Sequence, residues 1–167
     1  GDLLLLTGGV SKGDYDYVPE VLAEAGVEIH FHRVAVKPGR PLLLGTGAKG
    51  LVVFGLPGNP NSVLVSFKEF VLPVLRRLSG WRGSVWPADA TAVLARPVKS
   101  KPGRQFNCPA HLYYEDGRLL AEPVPGKGAG DYVSASRANG IVIVPVDSNG
   151  AEAGEQLTAH FWELPLE

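Results

Sequence analysis

The sequence is poor in cysteine, nearly balanced in charge and free of long apolar runs, and each lack removes a class of protein. Cys108 is the only cysteine among 167 residues, so no disulfide forms within the chain and no multi-cysteine metal cage exists. The residue reads as a small, partly buried apolar side chain. The formal net charge is −1, from 16 basic and 17 acidic residues. That balance excludes a broad nucleic-acid or polybasic membrane surface, and any anion site must be built from a few local residues. No apolar run approaches the roughly 18 residues of a membrane span, and no signal peptide is visible. A cytoplasmic protein is expected. No Ser-His-Asp or Cys-His constellation is evident.

What is present divides into two regimes. Up to Gly80 the pattern alternates strand and helix. "LLLL" at Leu3–Leu6 predicts a central strand covered on both faces. Such a strand needs neighbours on both sides, and the chain opens on Gly1, so it reads as the C-terminal piece of a longer protein. A helix is predicted around Tyr17–Ala25, stopped by Gly26. "VEIHFHRVAV" at Val27–Val36 predicts one strand, and "PLLLG" and "LVVFG" around "TGAKG" predict paired strands. Pro60–Ser79 carries an apolar stripe of Val63, Leu64, Phe67, Phe70, Val71, Val74, Leu75 and Leu78, the mark of a helix that Pro73 should kink. After a linker at "SGWRGSVWPA" the helical period disappears. Short strand-like runs follow, with a two-residue hairpin signal in "EDGR" at Glu115–Arg118, and predict a small all-β barrel or sandwich.

Three loops carry the chemistry. "GLPGNPNS" at Gly55–Ser62 leads from an apolar strand into a helix, with Asn59 as N-cap and Pro60 at the first helical position. Free N–H groups and the positive end of the dipole suit an anion there, and Gly55 and Gly58 admit it close to the backbone. "TGGVSKGDYDYVPE" repeats that logic with Gly8, Gly9 and Gly13, the hydroxyls of Thr7 and Ser11, and two carboxylates, Asp14 and Asp16. One aspartate suffices as a helix cap, and a carboxylate or two beside a phosphate-friendly loop suits Mg²⁺. In "RVAVKPGRP", Arg33 and Lys37 share a strand face roughly 13 Å apart, and Pro38-Gly39 turns the chain to present Arg40. Three separated cations match an extended anion. His30 and His32 share the opposite face, but no third ligand joins them, and packing or solvent-facing roles are expected.

In this order and spacing, "TGGVSKGDYDYV", "AVKPGRPL" and "GLPGNPNSVLVSF" resemble the molybdopterin molybdenumtransferase (MoeA) family, to which the gephyrin E domain also belongs. "KPGRQF", "GKGAGDYVSASRANGIVIVP" and "GEQLTAHFW" resemble that family's C-terminal β domain. The resemblance implies an α/β fold: the C-terminal half of a doubly wound, MogA-like molybdopterin-binding domain over residues 1–80, then a small all-β barrel over 81–167. It implies insertion of molybdenum from molybdate into adenylylated molybdopterin, with Mg²⁺ and release of AMP. Asp16 then matches a functionally important aspartate, and Arg33 and Lys37 match two basic positions. Arg40 matches the basic residue after the turn, and Pro57 and Pro60 the paired prolines. Asp16 and Lys37 take the catalytic roles, and Asp14 with Asp16 the metal. The substrate-binding set is Thr7, Gly8, Gly9, Ser11, Gly13, Asp14, Arg33, Lys37, Pro38, Gly39, Arg40, Pro57, Gly58, Asn59, Pro60 and Ser62.

Cleaving a phosphoanhydride needs charge neutralisation more than a protein nucleophile, which agrees with the missing triad. The three loops are therefore expected to converge on one cleft at the C-terminal ends of parallel strands. The family's site lies at a homodimer interface and draws on N-terminal domains outside this sequence, so the piece alone is expected to be inactive. Ala129 in "KGAG" replaces a serine often found in the family. Two alternatives stand beside this expectation: a non-catalytic pterin- or peptide-binding scaffold of the gephyrin type, and the molybdopterin adenylyltransferase that prepares the substrate and is also a candidate partner. The β domain after Gly80 argues against the latter.

Overall fold

The computed structural model describes residues 1–11, 13, 16–124 and 136–162. The chain divides into two compact units, residues 1–34 with 39–85, and residues 35–38 with 86–167.

The first unit is an α/β sandwich. Its strands are β1 (Leu3–Thr7), β2 (Glu28–His32), β4 (Leu43–Thr46) and β5 (Val52–Leu56), in the order β1-β5-β4-β2. β1 and β5 are parallel, while β5–β4 and β4–β2 are antiparallel. Alternation along β5 splits its side chains between two layers. Phe54 and Leu56 face the long helical run, with Leu42 and Val71. Val53 faces α1 (Val18–Glu24), with Leu22 and Leu43. The short helical turn Ala48–Gly50 closes the β4–β5 hairpin.

The helix expected over Pro60–Ser79 forms in three pieces: α2 (Pro60–Ser66), a π-helical turn (Phe67–Val71) and α3 (Leu72–Leu78). Pro73 explains the division. It has no N–H to donate, and its ring would collide with the carbonyl one turn back. The preceding turn widens, Leu72 N–H reaching the Phe67 carbonyl five residues earlier, so Pro73 falls in a first-turn position that needs no donor. Gly80, at φ 79°, ends the run.

Of the neighbours expected on both sides of β1, this chain supplies one: among the described residues only β5 pairs with it, and Leu4 and Leu5 are each 37% exposed. One expectation about strands is corrected. The continuous strand expected over Val27–Val36 stops at His32, where Arg33 takes φ 137°. Beyond it, β3 (Val36–Lys37) belongs to the second unit. Arg33 and Lys37 are therefore not two residues of one strand face.

The second unit is a closed barrel. Its strands are β6 (Ala88–Leu94), β8 (Gln105–Glu115), β9 (Arg118–Pro123), β10 (Gly140–Val144) and β12 (Gln156–Phe161). The order β10-β12-β6-β9-β8 returns to β10 through a β10–β8 pairing, and β3 adds to β8 in parallel. β7 (Val98–Lys99) and β11 (Gly150–Ala151) form a separate two-stranded ribbon. "EDGR" makes the expected tight hairpin, Asp116 and Gly117 at φ 48° and 73° as a type I′ turn requires. Among the described residues no helix follows Leu78. Inward alternation fills the barrel with Ala92, Leu94, Cys108, Ala110, Leu112, Ala121, Val142, Val144 and Ala159. The expectation for Cys108 holds: it is 4% exposed and packs as an apolar residue.

The barrel's packing makes two outcomes measurable. A Cβ on Gly140 would meet the His160 carbonyl oxygen and Leu112 Cδ1. Gly140→Ala should therefore lower stability by about 2 kcal/mol or more, read by denaturant unfolding. Burial pushes the Cys108 thiol up from 9.0 to about 12, against a smaller lowering by Lys37. Below pH 9 folded and unfolded states both hold the proton. Above it only the unfolded state releases the proton, so this residue makes stability fall between pH 9 and pH 12. Cys108→Ala should remove that part of the alkaline slope in unfolding curves measured at about pH 8 and about pH 10.5.

Candidate functional site at the rim of the parallel strand pair

The parallel register decides where the first and last loops begin. Thr7 pairs with Leu56, so the two chains leave the sheet side by side. Gly8 N–H then donates to the Leu56 carbonyl at 3.0 Å, extending the ladder one step into the loops. Gly58 lies so close that a Cβ on it would stand 3.5 Å from Gly8 Cα. Thr7 and Gly58 line an open pocket of about 420 Å³ with Pro60, Val63, Leu64 and Phe67. Three apolar side chains from one helical run make a wall for a flat ring, and the Thr7 hydroxyl and loop backbone supply the polar rim.

Three devices hold the first loop in place. Val10, 1% exposed, folds back over β5, and a Cβ on Gly55 would come within 2.7 Å of its Cγ1. The imidazole Nε2 of His32 hydrogen-bonds the Val10 carbonyl from β2. Gly9, at φ 68°, lets Val18 N–H reach its carbonyl at 3.1 Å, and a Cβ there would strike Val18 Cγ2 at 2.8 Å. Gly55 is thus corrected from a ligand-facing glycine to a seat for Val10. Ser11 stays at the surface.

Asp16 closes the loop. Its Oδ2 accepts the Gly13 N–H at 2.6 Å while its own N–H donates to the Gly13 carbonyl at 3.0 Å. The N-cap of α1 is Tyr17, without a side-chain cap, so the capping role considered for Asp16 is overturned. Asp14 lies outside the described residues. Among those described, no group of three or more His, Cys, Asp or Glu is placed to hold a metal ion. Asp16 alone fits Mg²⁺ only as a cation that arrives with phosphate oxygens, since Mg²⁺ accepts one carboxylate plus substrate ligands.

The α2 N-terminus has less anion capacity than its sequence suggests. Asn59 Oδ1 takes the Ser62 N–H at 3.2 Å, and Pro60 has none. Pro57 is buried and stiffens the loop from below.

The basic stretch has a geometry of its own. Val34 N–H donates to the Arg40 carbonyl at 3.0 Å, so Arg33 and Arg40 flank a narrow neck. Gly39, at φ 103°, is buried against α2, where a Cβ would lie 2.6 Å from Ser66 Oγ and 3.8 Å from the Ser62 carbonyl oxygen. Lys37 and Pro38 belong to the barrel unit, with the Lys37 ammonium 4.6 Å from the Phe106 ring centre. The structure thus brings the first loop, the last loop and the Gly39–Arg40 turn together within one unit, and assigns Lys37 to the other.

The other histidine of that pair, His30, bonds Thr46 Oγ1 at 2.8 Å, and a bulge between Ile29 and Phe31 interrupts the strand face it was expected to share with His32. Sequence reasoning missed His32 as the clamp on the first loop, Ser66 beneath Gly39, and Phe67 as a pocket wall. The i, i+2 histidines were the only available signal for the first; Phe67 is one stripe residue among several, and Ser66 carries no local mark.

An α/β unit with paired loops at one rim, joined to a five-stranded barrel, has counterparts among known proteins. Residues 1–77 match the family described as "Probable molybdopterin binding domain", and residues 91–162 match "MoeA C-terminal region (domain IV)". The molybdopterin molybdenumtransferase of Nostoc sp. is 31% identical over 99% of this chain and 38% of its own length. That of Bacillus subtilis is 34% identical over 92% of this chain and 35% of its own. The crystal structure of a Pyrococcus horikoshii molybdopterin biosynthesis MoeA protein superposes with a TM-score of 0.78 at 32% identity, covering 98% of this chain and 38% of that one. The chain belongs to the MoeA family, over that family's C-terminal part. It spans between a third and two fifths of those relatives' length.

Gly55 and Gly58 offer a discriminating pair of variants. Gly55→Ala should displace Val10 and cost about 2 kcal/mol in denaturant unfolding. Gly58→Ala meets only ordinary contact and should unfold like the native protein, so any effect it has on ligand binding reports the pocket itself.

Proposed function

We propose that the protein carrying this chain acts in molybdenum cofactor biosynthesis, inserting molybdenum from molybdate into adenylylated molybdopterin and releasing AMP. The observation that carries this is the contact of the two glycine loops across the β1–β5 pair, Gly8 against Gly58 beside an apolar wall. A flat pterin suits the Val63, Leu64 and Phe67 wall, and its phosphates suit the loop backbone and the arginines at the neck. The relatives from Nostoc sp. and Bacillus subtilis are named molybdopterin molybdenumtransferase.

Thr7, Gly8, Gly9, Ser11 and Gly13 form the first binding loop, and Pro57, Gly58, Asn59, Pro60 and Ser62 the second. Arg33, Pro38, Gly39 and Arg40 contribute from the basic stretch. Lys37 supplies a further cation to the anionic substrate, and its loss lowers affinity. Asp16, with Asp14 as a second carboxylate, would hold Mg²⁺ beside substrate phosphate oxygens, and Asp16 orients the species that attacks the phosphoanhydride. Mg²⁺, when bound, neutralises charge on the cleaved phosphoanhydride. The barrel favours a transferase over a stand-alone adenylyltransferase. Further proposals go with it: a cytoplasmic homodimer supplied by a molybdopterin adenylyltransferase, domain limits at 1–80 and 81–167, and no turnover by the 167-residue chain alone.

Asp16→Asn tests the proposal. Asparagine keeps an oxygen for the Gly13 N–H, so the melting temperature should stay within about a degree. Molybdenum insertion by the native-length protein should fall by two orders of magnitude or more while pterin affinity survives. Near-normal cofactor production would reduce Asp16 to a loop-closing residue. Lys37→Ala should weaken binding of adenylylated molybdopterin about tenfold in a calorimetric titration; unchanged affinity would remove Lys37 from the site. Binding of pterin with no turnover under any condition would point to a scaffold instead.

A further inference from the structure

We infer that Phe106 is a positioning residue for Lys37: the barrel holds the lysine ammonium over an aromatic face, so that part of its side-chain freedom is already lost before an anionic ligand binds. This rests on the assignment of Lys37 to the substrate.

β3 is two residues long, too short to fix a flexible side chain by itself. Its register with β8 places Lys37 directly beside Phe106, and Gln105 N–H donates to the Ala35 carbonyl at 3.0 Å to set that register. Lys37 Nζ stands 4.6 Å from the ring centroid, within the roughly 6 Å over which a cation is drawn to an aromatic face. The ring is itself held, packed on the barrel core and paired through its backbone with Val144. A rigid platform therefore supports a mobile cation.

The consequence is pre-organisation. A lysine loses much rotamer freedom when it grips a phosphate or molybdate oxygen. Here part of that loss occurs on folding, so it no longer weakens binding. The platform also leaves the charge available. Among the described residues no carboxylate pairs with Lys37. Cys108, two residues along β8 from Phe106, stays a neutral buried thiol and offers no competing anion. A ring attracts the ammonium without neutralising it, unlike an aspartate or glutamate at the same place.

The test is a binding cycle on the native-length protein with adenylylated molybdopterin as ligand, comparing Phe106→Leu, Lys37→Ala, the double variant and Phe106→Tyr. Phe106→Leu keeps the apolar filling and should weaken binding about fivefold. Phe106→Tyr keeps the ring and should bind within about twofold of the native protein. In the Lys37→Ala background, Phe106→Leu should add nothing. Unchanged affinity in Phe106→Leu while Lys37→Ala is weakened, or an equal further loss in the double variant, would overturn this inference and leave the Lys37 assignment standing. Unchanged affinity in Lys37→Ala would remove both. Should Phe106→Leu not fold, NMR of the lysine-labelled native protein decides. Lys37 ε-methylene protons shifted upfield by the ring support the inference, and ordinary lysine positions overturn it.

Discussion

The parallel pairing of β1 with β5 is the constraint on which the candidate site depends. Parallel strands end at the same side of a sheet, so whatever follows each of them must share one rim. In this chain a glycine-rich loop follows both, and the Gly8–Leu56 hydrogen bond extends the pairing beyond the strands. The rest is consolidation of that start. Val10 fastens the first loop to β5, His32 fastens it to β2, and Asn59 with Pro57 and Pro60 stiffens the second.

That architecture separates two uses of glycine that look alike in sequence. Gly8 and Gly58 face each other across the opening, where the missing side chains leave room. Gly55 and Gly39 are covered by Val10 and Ser66, where a missing side chain lets protein pack on protein. Stiffness and access are thus built from the same residue type in alternate positions.

Much of this is legible in the amino-acid sequence alone. Apolar runs bounded by turn residues mark the strands of both units, "EDGR" marks its hairpin, and the loss of helical period after Gly80 marks the all-β half. What stays hidden is non-local. Nothing in "VEIHFHRVAV" signals a break, because the residue that breaks it is an arginine at φ 137° rather than a glycine or proline. Beyond the break, β3 pairs in parallel with β8, a strand that comes far later in the chain. The row of cations expected along one face is therefore wrong, although each cation is noticeable by itself. Pro73 is legible as a disturbance but not as the π turn that absorbs it. Asp16 is legible as important to its loop, but not its bond to Gly13, since an aspartate just before a helix ordinarily reads as a cap.

The capture of Ala35–Pro38 by the barrel also bears on how such a protein can be cut, shuffled or inherited. A gene segment starting at Trp86 encodes the barrel without β3, and a segment ending at Val85 carries a strand whose neighbour has been left behind. Exchange of the C-terminal region between relatives therefore joins a β3 from one lineage to a β8 from another, and the Val36–Gln105 and Lys37–Phe106 register must survive the graft. The stretches "AVKPG" and "GRQFN", far apart in the gene, meet in one strand pair, and a breakpoint anywhere between them parts β3 from the strand it pairs with.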